Sequence, residues 1–358
     1  MEKLKFGILG AGCGGQSMAA ILTSQGCTVK LMDKNAALVQ ELKDAGTITL
    51  TGKMELQASP SCITTDAAEA IEGADVILVV TTADGHEDVA RAIANVIQPN
   101  QIVVLNPGMF CGSLAFRTAL RRFGCPHDIL VAEMADLMFA CRKAGPATVF
   151  HSGLKKKAVL AAVPASGTDR VVALLKPYFP IVTGAEDILH TAMSSIGCVL
   201  HCVPMIMNVN KLDAGQRFDY YMEGITPSIA RMAEQVDAER IALARALGIE
   251  VPTTAQSVIN GYGSHGDNLY EVIQTTQAYV GIQSPASLAH RFCAEDTFGS
   301  LVGFATLAKE LGVPTPGMDA IITCISMATG IDYFTAGRTA EKVGLKGKTV
   351  AEIYEMIR

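Results

Sequence analysis

Charge is scarce in this chain. Asp, Glu, Lys and Arg make up 18% of its 358 residues against 49% hydrophobic ones, and mean hydropathy is +0.31. So little charge implies extensive buried surface, with apolar area left for a subunit interface, and a homodimer is the expected assembly. No Lys/Arg cluster is interleaved with aromatics and the net charge is −6, so nucleic acid is not an expected partner. The ten cysteines include no CxxC and no Cys/His set at zinc spacing. No metal site is expected, and the thiols read as unpaired in a reducing, cytoplasmic compartment. The first strand pattern begins within a few residues of Met1, which argues against a secretory leader. Ile188 to Asn210 lacks any Asp, Glu, Lys or Arg over 23 residues, a membrane-spanning length. His190, His201, Asn208, Asn210, two serines and Pro204 would be costly in hydrocarbon, so the segment is expected to be a buried helix, not a membrane span.

What is present begins at Phe6. The stretch to Asp33 runs apolar strand, Gly10-Ala11-Gly12-Cys13-Gly14-Gly15, helical pattern, second β-rich run, then an acid 23 residues after Gly10. Gly10 allows the tight strand-to-helix turn, Gly12 leaves the backbone open to a pyrophosphate, and Gly15 lets the helix sit close to the strand. The unpaired N–H groups of the first helical turn would face the phosphates, and Asp33 is placed for a ribose 2′-hydroxyl. A carboxylate there repels a 2′-phosphate and favours NAD. Lys34 and Asn35 next to it keep NADP open.

Strands and helices alternate as far as about residue 184. Thr47–Gln57 reads as a hairpin turning at Thr51-Gly52. Cys62–Thr65, Ala74–Val80, Gln101–Leu105, Asp128–Glu133, Ala147–His151 and Lys157–Ala162 read as further strands, and Asp84 with Glu87 as a cap for the helix that runs to Val96. The implied architecture is α/β, a Rossmann-type doubly wound and mostly parallel sheet over 1–184. Ligands lie beyond the carboxyl ends of such strands, which puts Thr81, Thr82, Asn106 and Glu133 near the nicotinamide end of the cofactor. From 185 to 358 strand patterns stop and long helical ones take over: an all-helical substrate-binding domain with no internal repeat or low-complexity linker before it. Its last helix opens on Thr349 and Glu352 at capping-box spacing.

Hydride transfer to a carbonyl or imine needs a proton donor beside the reacting atom, most often a histidine held by a carboxylate. His201 lies inside the uncharged helix, with Met205 and Asn208 on its face and Pro204 set to kink the helix. Pattern alone reads it equally as a core histidine bonded to a backbone carbonyl. Asp296 stands out in Arg291-Phe292-Cys293-Ala294-Glu295-Asp296-Thr297, and a helix N-cap is its plain alternative.

Longer strings narrow the choice. "SSIGCVLHCVPMIMN", "RFCAEDTFGSLVGFATLAKELGVPTP", "YYMEGITPSIARMAEQVDAERIALARALGI", "AGRTAEKVGLKG" and "VAEMADLMFACRKAGP" occur in order along nearly the whole chain. They resemble the octopine/nopaline (opine) dehydrogenase family. The resemblance implies an NAD(P)H-dependent reductive condensation: the amine of an amino acid attacks a 2-oxo acid, water leaves, and hydride reaches the imine carbon. It assigns His201 as general acid/base, Asp296 as the group that orients it, and Asn208 as a polar neighbour of the substrate. Three positions depart from the family. Met109 replaces a glutamine that helps to hold the oxo acid, and Asp136 and Met138 replace threonine and proline. Asp136 is a candidate partner for a cationic amine, and Arg142 for a substrate carboxylate. The alternatives are a ketopantoate reductase-like or 3-hydroxyacid dehydrogenase-like enzyme of the same plan, and a non-catalytic NAD-sensing protein. The first two typically use lysine as the acid, whereas the helix that carries His201 has none before Lys211.

Overall fold

The computed structural model describes residues 3–358. The chain divides into two compact units, one running to Thr191 and taking in Met356–Arg358, the other Ala192–Glu355. The division falls within the helix Ile188–Ser194, later than the 184/185 boundary expected from the sequence.

Among the described residues, twelve strands build the first unit: β1 (Lys5–Leu9), β2 (Thr28–Met32), β3 (Ile48–Gly52), β4 (Leu56–Ala58), β5 (Cys62–Thr64), β6 (Val76–Val79), β7 (Ile102–Leu105), β8 (Leu130–Met134), β9 (Phe139–Gly145), β10 (Thr148–Leu154), β11 (Ala158–Val163) and β12 (Val182–Gly184). Eight form one sheet in the order β12-β11-β8-β7-β6-β1-β2-β5. Every pair is parallel except β8 with β11. The central strands β6 (VILV) and β7 (IVVL) are buried throughout, as parallel strands covered on both faces must be. Alternate residues feed two separate cores. Ile8, Leu78 and Val104 enter one, while Leu9, Ile77 and Val103 enter the other. The sheet reverses direction of growth at β1, between β6 and β2, the topological switch point at which such folds bind their ligands.

A second sheet, β4-β3-β10-β9, departs from the expected succession of βα units. The β3–β4 hairpin forms, but it turns at 53–55, with Thr51 and Gly52 still inside β3, and β10 leaves the main sheet to pair parallel with β3 and antiparallel with β9. Strand β9 (FACRKAG) has no apolar alternation: Ala140, Arg142, Lys143 and Ala144 are all exposed, so nothing local marks it as a strand. Nor do Asp84 and Glu87 cap their helix; a 3₁₀ turn at Ala83–Gly85 precedes His86–Ile93, and no side chain caps either element.

The second unit is helical. Pro227–Ala246 is its longest helix, with Pro227 at the first position and the Thr226 hydroxyl accepting from Ile229 N–H at 3.4 Å. Thr349 and Glu352 form the reciprocal capping box. The uncharged stretch is not one continuous helix. It breaks at Ser195-Ile196 between Ile188–Ser194 and Gly197–Met207, and a further turn spans Val209–Asp213. Within Ile188–Met207 the most apolar 18-residue window has a mean hydropathy of 1.4, and 72% of it is buried within the fold. Downstream, Arg291–Asp296, a π-helical stretch Thr297–Leu301 and Val302–Glu310 follow one another without a gap.

Candidate active site

In the first unit the glycine loop meets each steric demand placed on it. Gly10 has φ +108°, and a Cβ there would lie 2.7 Å from the Val80 carbonyl oxygen. A Cβ on Gly15 would sit 1.8 Å from the Gly10 carbonyl oxygen, so helix and loop approach as closely as backbone allows. Gly12 differs: a Cβ there meets nothing within 4 Å, and it opens the helix Cys13–Ser24 with no side-chain cap and no acid in the first turn. That is an open, donor-lined helix start suited to a pyrophosphate. Asp33 Oδ2 accepts from Ala11 N–H at 2.7 Å and Oδ1 from Asn35 N–H at 2.9 Å. The carboxylate thus fixes the loop, and each oxygen keeps a lone pair for a ribose hydroxyl. Lys34 and Asn35, the two residues that kept NADP open, are both exposed; the Asn35 side chain caps the following helix, and Lys34 Nζ lies 3.3 Å from Asp88.

The strand ends beside this loop carry polar groups without protein partners. Thr81 presses its methyl toward Gly10 while its hydroxyl is buried and unbonded, and Thr82 is exposed. Asn106 is 1% exposed, yet both atoms of its side-chain amide lack a partner. A buried donor and acceptor are costly left bare, and a dinucleotide's polar groups match both. Residues 106–111 are bent by two non-glycine residues in the left-handed region, Met109 (φ 63°) and Cys111 (φ 46°), the kind of strain that collects at ligand sites. These residues fit an NAD(H) molecule.

Three sequence candidates take other places. Glu133 is fully buried and its carboxylate is satisfied internally: Oε2 accepts from Ser113 N–H and Oγ at 2.7 Å each, and Oε1 from Thr191 Oγ1 at 2.8 Å. It ties the strand end to two helices, which corrects the expectation that it touches ligand. Asp136 forms an exposed ion pair with Lys155 at 3.0 Å, and Arg142 is an exposed residue of β9 opposite Phe150. Neither is part of the polar cluster around Asn106. Met109 is buried in the bent loop.

In the second unit His201 and Asp296, 95 residues apart in sequence, meet at 2.9 Å between Nδ1 and Oδ2. A carboxylate only accepts, so Nδ1 carries the proton and Nε2 is left for chemistry. Both side chains are mostly buried, 17% and 11% exposed, which strengthens the interaction while leaving access. Local sequence explains the fit. Gly197 lies one helical turn before His201, and a Cβ on it would come within 2.5 Å of Asp296 Oδ1; only glycine admits the carboxylate. Phe292, one turn before Asp296, stacks flat on the imidazole at 3.9 Å and 5°. The N-cap reading of Asp296 is not realised, because it ends a helix and caps nothing.

Pro204 lacks an N–H, so Leu200, four residues earlier, loses its helical partner. The Tyr220 hydroxyl fills that gap, lying 3.2 Å from the Leu200 oxygen and 3.1 Å from the His201 oxygen. The next residue, Tyr221, places its hydroxyl 3.2 Å from His201 Nε2. Sequence reading missed both tyrosines; the only signal was the carbonyl that Pro204 was bound to orphan. Asn208 is 4% exposed, and its side-chain N–H groups donate to Pro204 and Gly224 oxygens at 2.9 Å each, a helix-end clamp in place of the expected substrate contact. Cys198, Cys202 and Cys293 pack around the dyad, and burial pushes all three thiols up, Cys293 to about 12, so they stay protonated and inert.

Residues 184–329 match the model for the NAD/NADP octopine/nopaline dehydrogenase alpha-helical domain, and 5–115 that for the NAD-dependent glycerol-3-phosphate dehydrogenase N-terminus. An opine dehydrogenase of Arthrobacter sp. (strain 1C) is 36% identical over 99% of this chain and 98% of its own. The chain belongs to the opine dehydrogenase family. Family membership makes it an NAD-dependent oxidoreductase acting on CH–NH bonds, with NADP also in range. Octopine dehydrogenase of Pecten maximus is 24% identical over 83% of this chain and 79% of its own. A solved octopine dehydrogenase with NADH and L-arginine shares the fold, with TM-score 0.81 at 20% identity and 98% of each chain covered. A ketopantoate reductase from Ralstonia eutropha JMP134 is less similar, with TM-score 0.66 at 18% identity over 92% of this chain and 98% of that one.

Proposed function

We propose that this opine dehydrogenase works through the His201–Asp296 dyad. Its reaction is the reductive condensation of a 2-oxo acid with the amine of an amino acid, giving an N-(1-carboxyalkyl) amino acid and water. The observation that carries the proposal is the 2.9 Å contact that fixes the proton on Nδ1 and leaves Nε2 as the transferable site. Bound NADH supplies the hydride. His201 moves the protons: protonated Nε2 gives its proton to the oxo oxygen as the neutral amine adds, takes one back from the added nitrogen, and passes it to the hydroxyl, which departs as water. Asp296 holds the ring in one tautomer and stabilises the imidazolium as it forms. Gly10, Gly12 and Gly15 would admit the pyrophosphate, Asp33 the adenosine ribose, and Thr81 and Asn106 the polar groups at the reactive end.

A panel of 2-oxo acids with and without amino acids, followed by NADH absorbance, tests this. Amine-dependent oxidation is expected. Oxidation without amine would move the chain to the ketopantoate reductase type, and bound NADH without turnover would make it non-catalytic. The free thiols support a cytoplasmic location. The apolar composition supports a homodimer, which light scattering would measure.

A further inference from the structure

We infer that Tyr221 is a positioning residue of the dyad: its hydroxyl holds His201 Nε2 until the substrate takes its place. The inference rests on the dyad reading above. Asp296 engages Nδ1, so Nε2 is the nitrogen that must carry the mobile proton, and the Tyr221 hydroxyl lies 3.2 Å from it. A phenol suits both protonation states: its O–H donates to neutral Nε2, and its oxygen accepts from the imidazolium N–H. Burial, and then the neighbouring Tyr262 and Asp296, push its own ionisation up, so it remains a neutral O–H. At 3.2 Å the bond is at the long end of the normal range, suited to exchange.

The ring does not depend on this bond for its position. Tyr221 is 5% exposed, stacks on Tyr279 at 4.1 Å and 14°, and meets Tyr220 edge-on at 4.9 Å and 87°. Its neighbours hold the hydroxyl at the imidazole from one side, as Phe292 fixes the ring plane from another. The two consecutive tyrosines therefore divide the work. Tyr220 bonds the carbonyls at the Pro204 kink and sets the helix, while Tyr221 sets the imidazole within it.

Tyr221→Phe deletes only the hydroxyl and tests the inference. With ¹⁵N-histidine labelling, and the His201 signals identified by their loss in His201→Ala, Tyr221→Phe is expected to move the Nε2 resonance and leave Nδ1 near its place. It should lower kcat about 10-fold with NADH affinity within about twofold. Tyr220→Phe is expected to lower the melting temperature without moving Nε2. An unmoved Nε2 resonance and unchanged kcat in Tyr221→Phe overturn the inference. If that variant does not fold, 3-fluorotyrosine at 221 keeps the ring and strengthens the donor; a moved Nε2 resonance then supports the inference and an unmoved one overturns it. Loss of turnover in His201→Ala with an unaffected Tyr221→Phe refutes this inference alone. Retained turnover in His201→Ala refutes the dyad itself.

Discussion

The glycine loop and the His201–Asp296 dyad are both functional arrangements, and they are specified in opposite ways. The loop is local. Within residues 6–33 the chain supplies strand, turn, helix, strand and acid, and the acid folds back to accept from Ala11 N–H. The dyad is assembled from 95 residues' separation, and its fit depends on residues that perform no chemistry: Gly197 by having no side chain, Phe292 by lying flat, Tyr220 by answering a carbonyl left bare. A local site tolerates change elsewhere in the chain, whereas a long-range one can be lost through its supports alone.

Substitutions can break or sharpen that contrast. The largest effect is expected from His201→Ala, at least about 100-fold in kcat with NADH affinity near normal; an unchanged rate would remove His201 from the mechanism. Gly197→Ala comes next. Its new Cβ would displace the Asp296 carboxylate, and a shift of about 1 Å in such a group costs on the order of 10–100-fold in kcat. Full activity in that variant would show that the carboxylate position is not critical. Asp33→Ala should weaken NADH severalfold more than NADPH, since the loop anchor and the ribose partner go together; equal loss for both cofactors would leave Asp33 a loop residue only. The smallest effect concerns stability. Burial lowers the His151 pKa, so the folded chain holds this ring neutral while the unfolded chain protonates it near 6.5. The stability it contributes is present above that pH and is lost as pH falls from it towards the depressed folded value. Urea midpoints between pH 7.5 and 5.5 should fall less steeply in His151→Gln, and identical slopes would discount the residue.

How much could be read beforehand follows from the same contrast. The parallel sheet was legible because β6 and β7 are continuous β-branched and leucine runs, and the glycine spacing has few other uses. The second sheet was not, because β9 is paired on one side only, and its exposed Arg142 and Lys143 carry no alternation. Family strings singled out His201 and Asp296, whereas pattern alone left each with an ordinary structural reading. Tyr221 was invisible: twenty residues from His201 and outside any helix, it has no periodicity to mark its direction. Glu133 misled for a physical reason. The end of a parallel strand is where ligands are met, but a carboxylate there can equally be consumed by a serine and a threonine of adjoining helices.

The π-helical stretch Thr297–Leu301 follows directly on Asp296. A π turn carries one residue more than an α turn, and each residue of an α-helix turns the chain by about 100°. Shortening this stretch by a single residue would swing the carboxylate about a quarter-turn away from the imidazole while leaving both members of the dyad in the sequence. The enzyme's register, in that sense, is stored in a surplus of one.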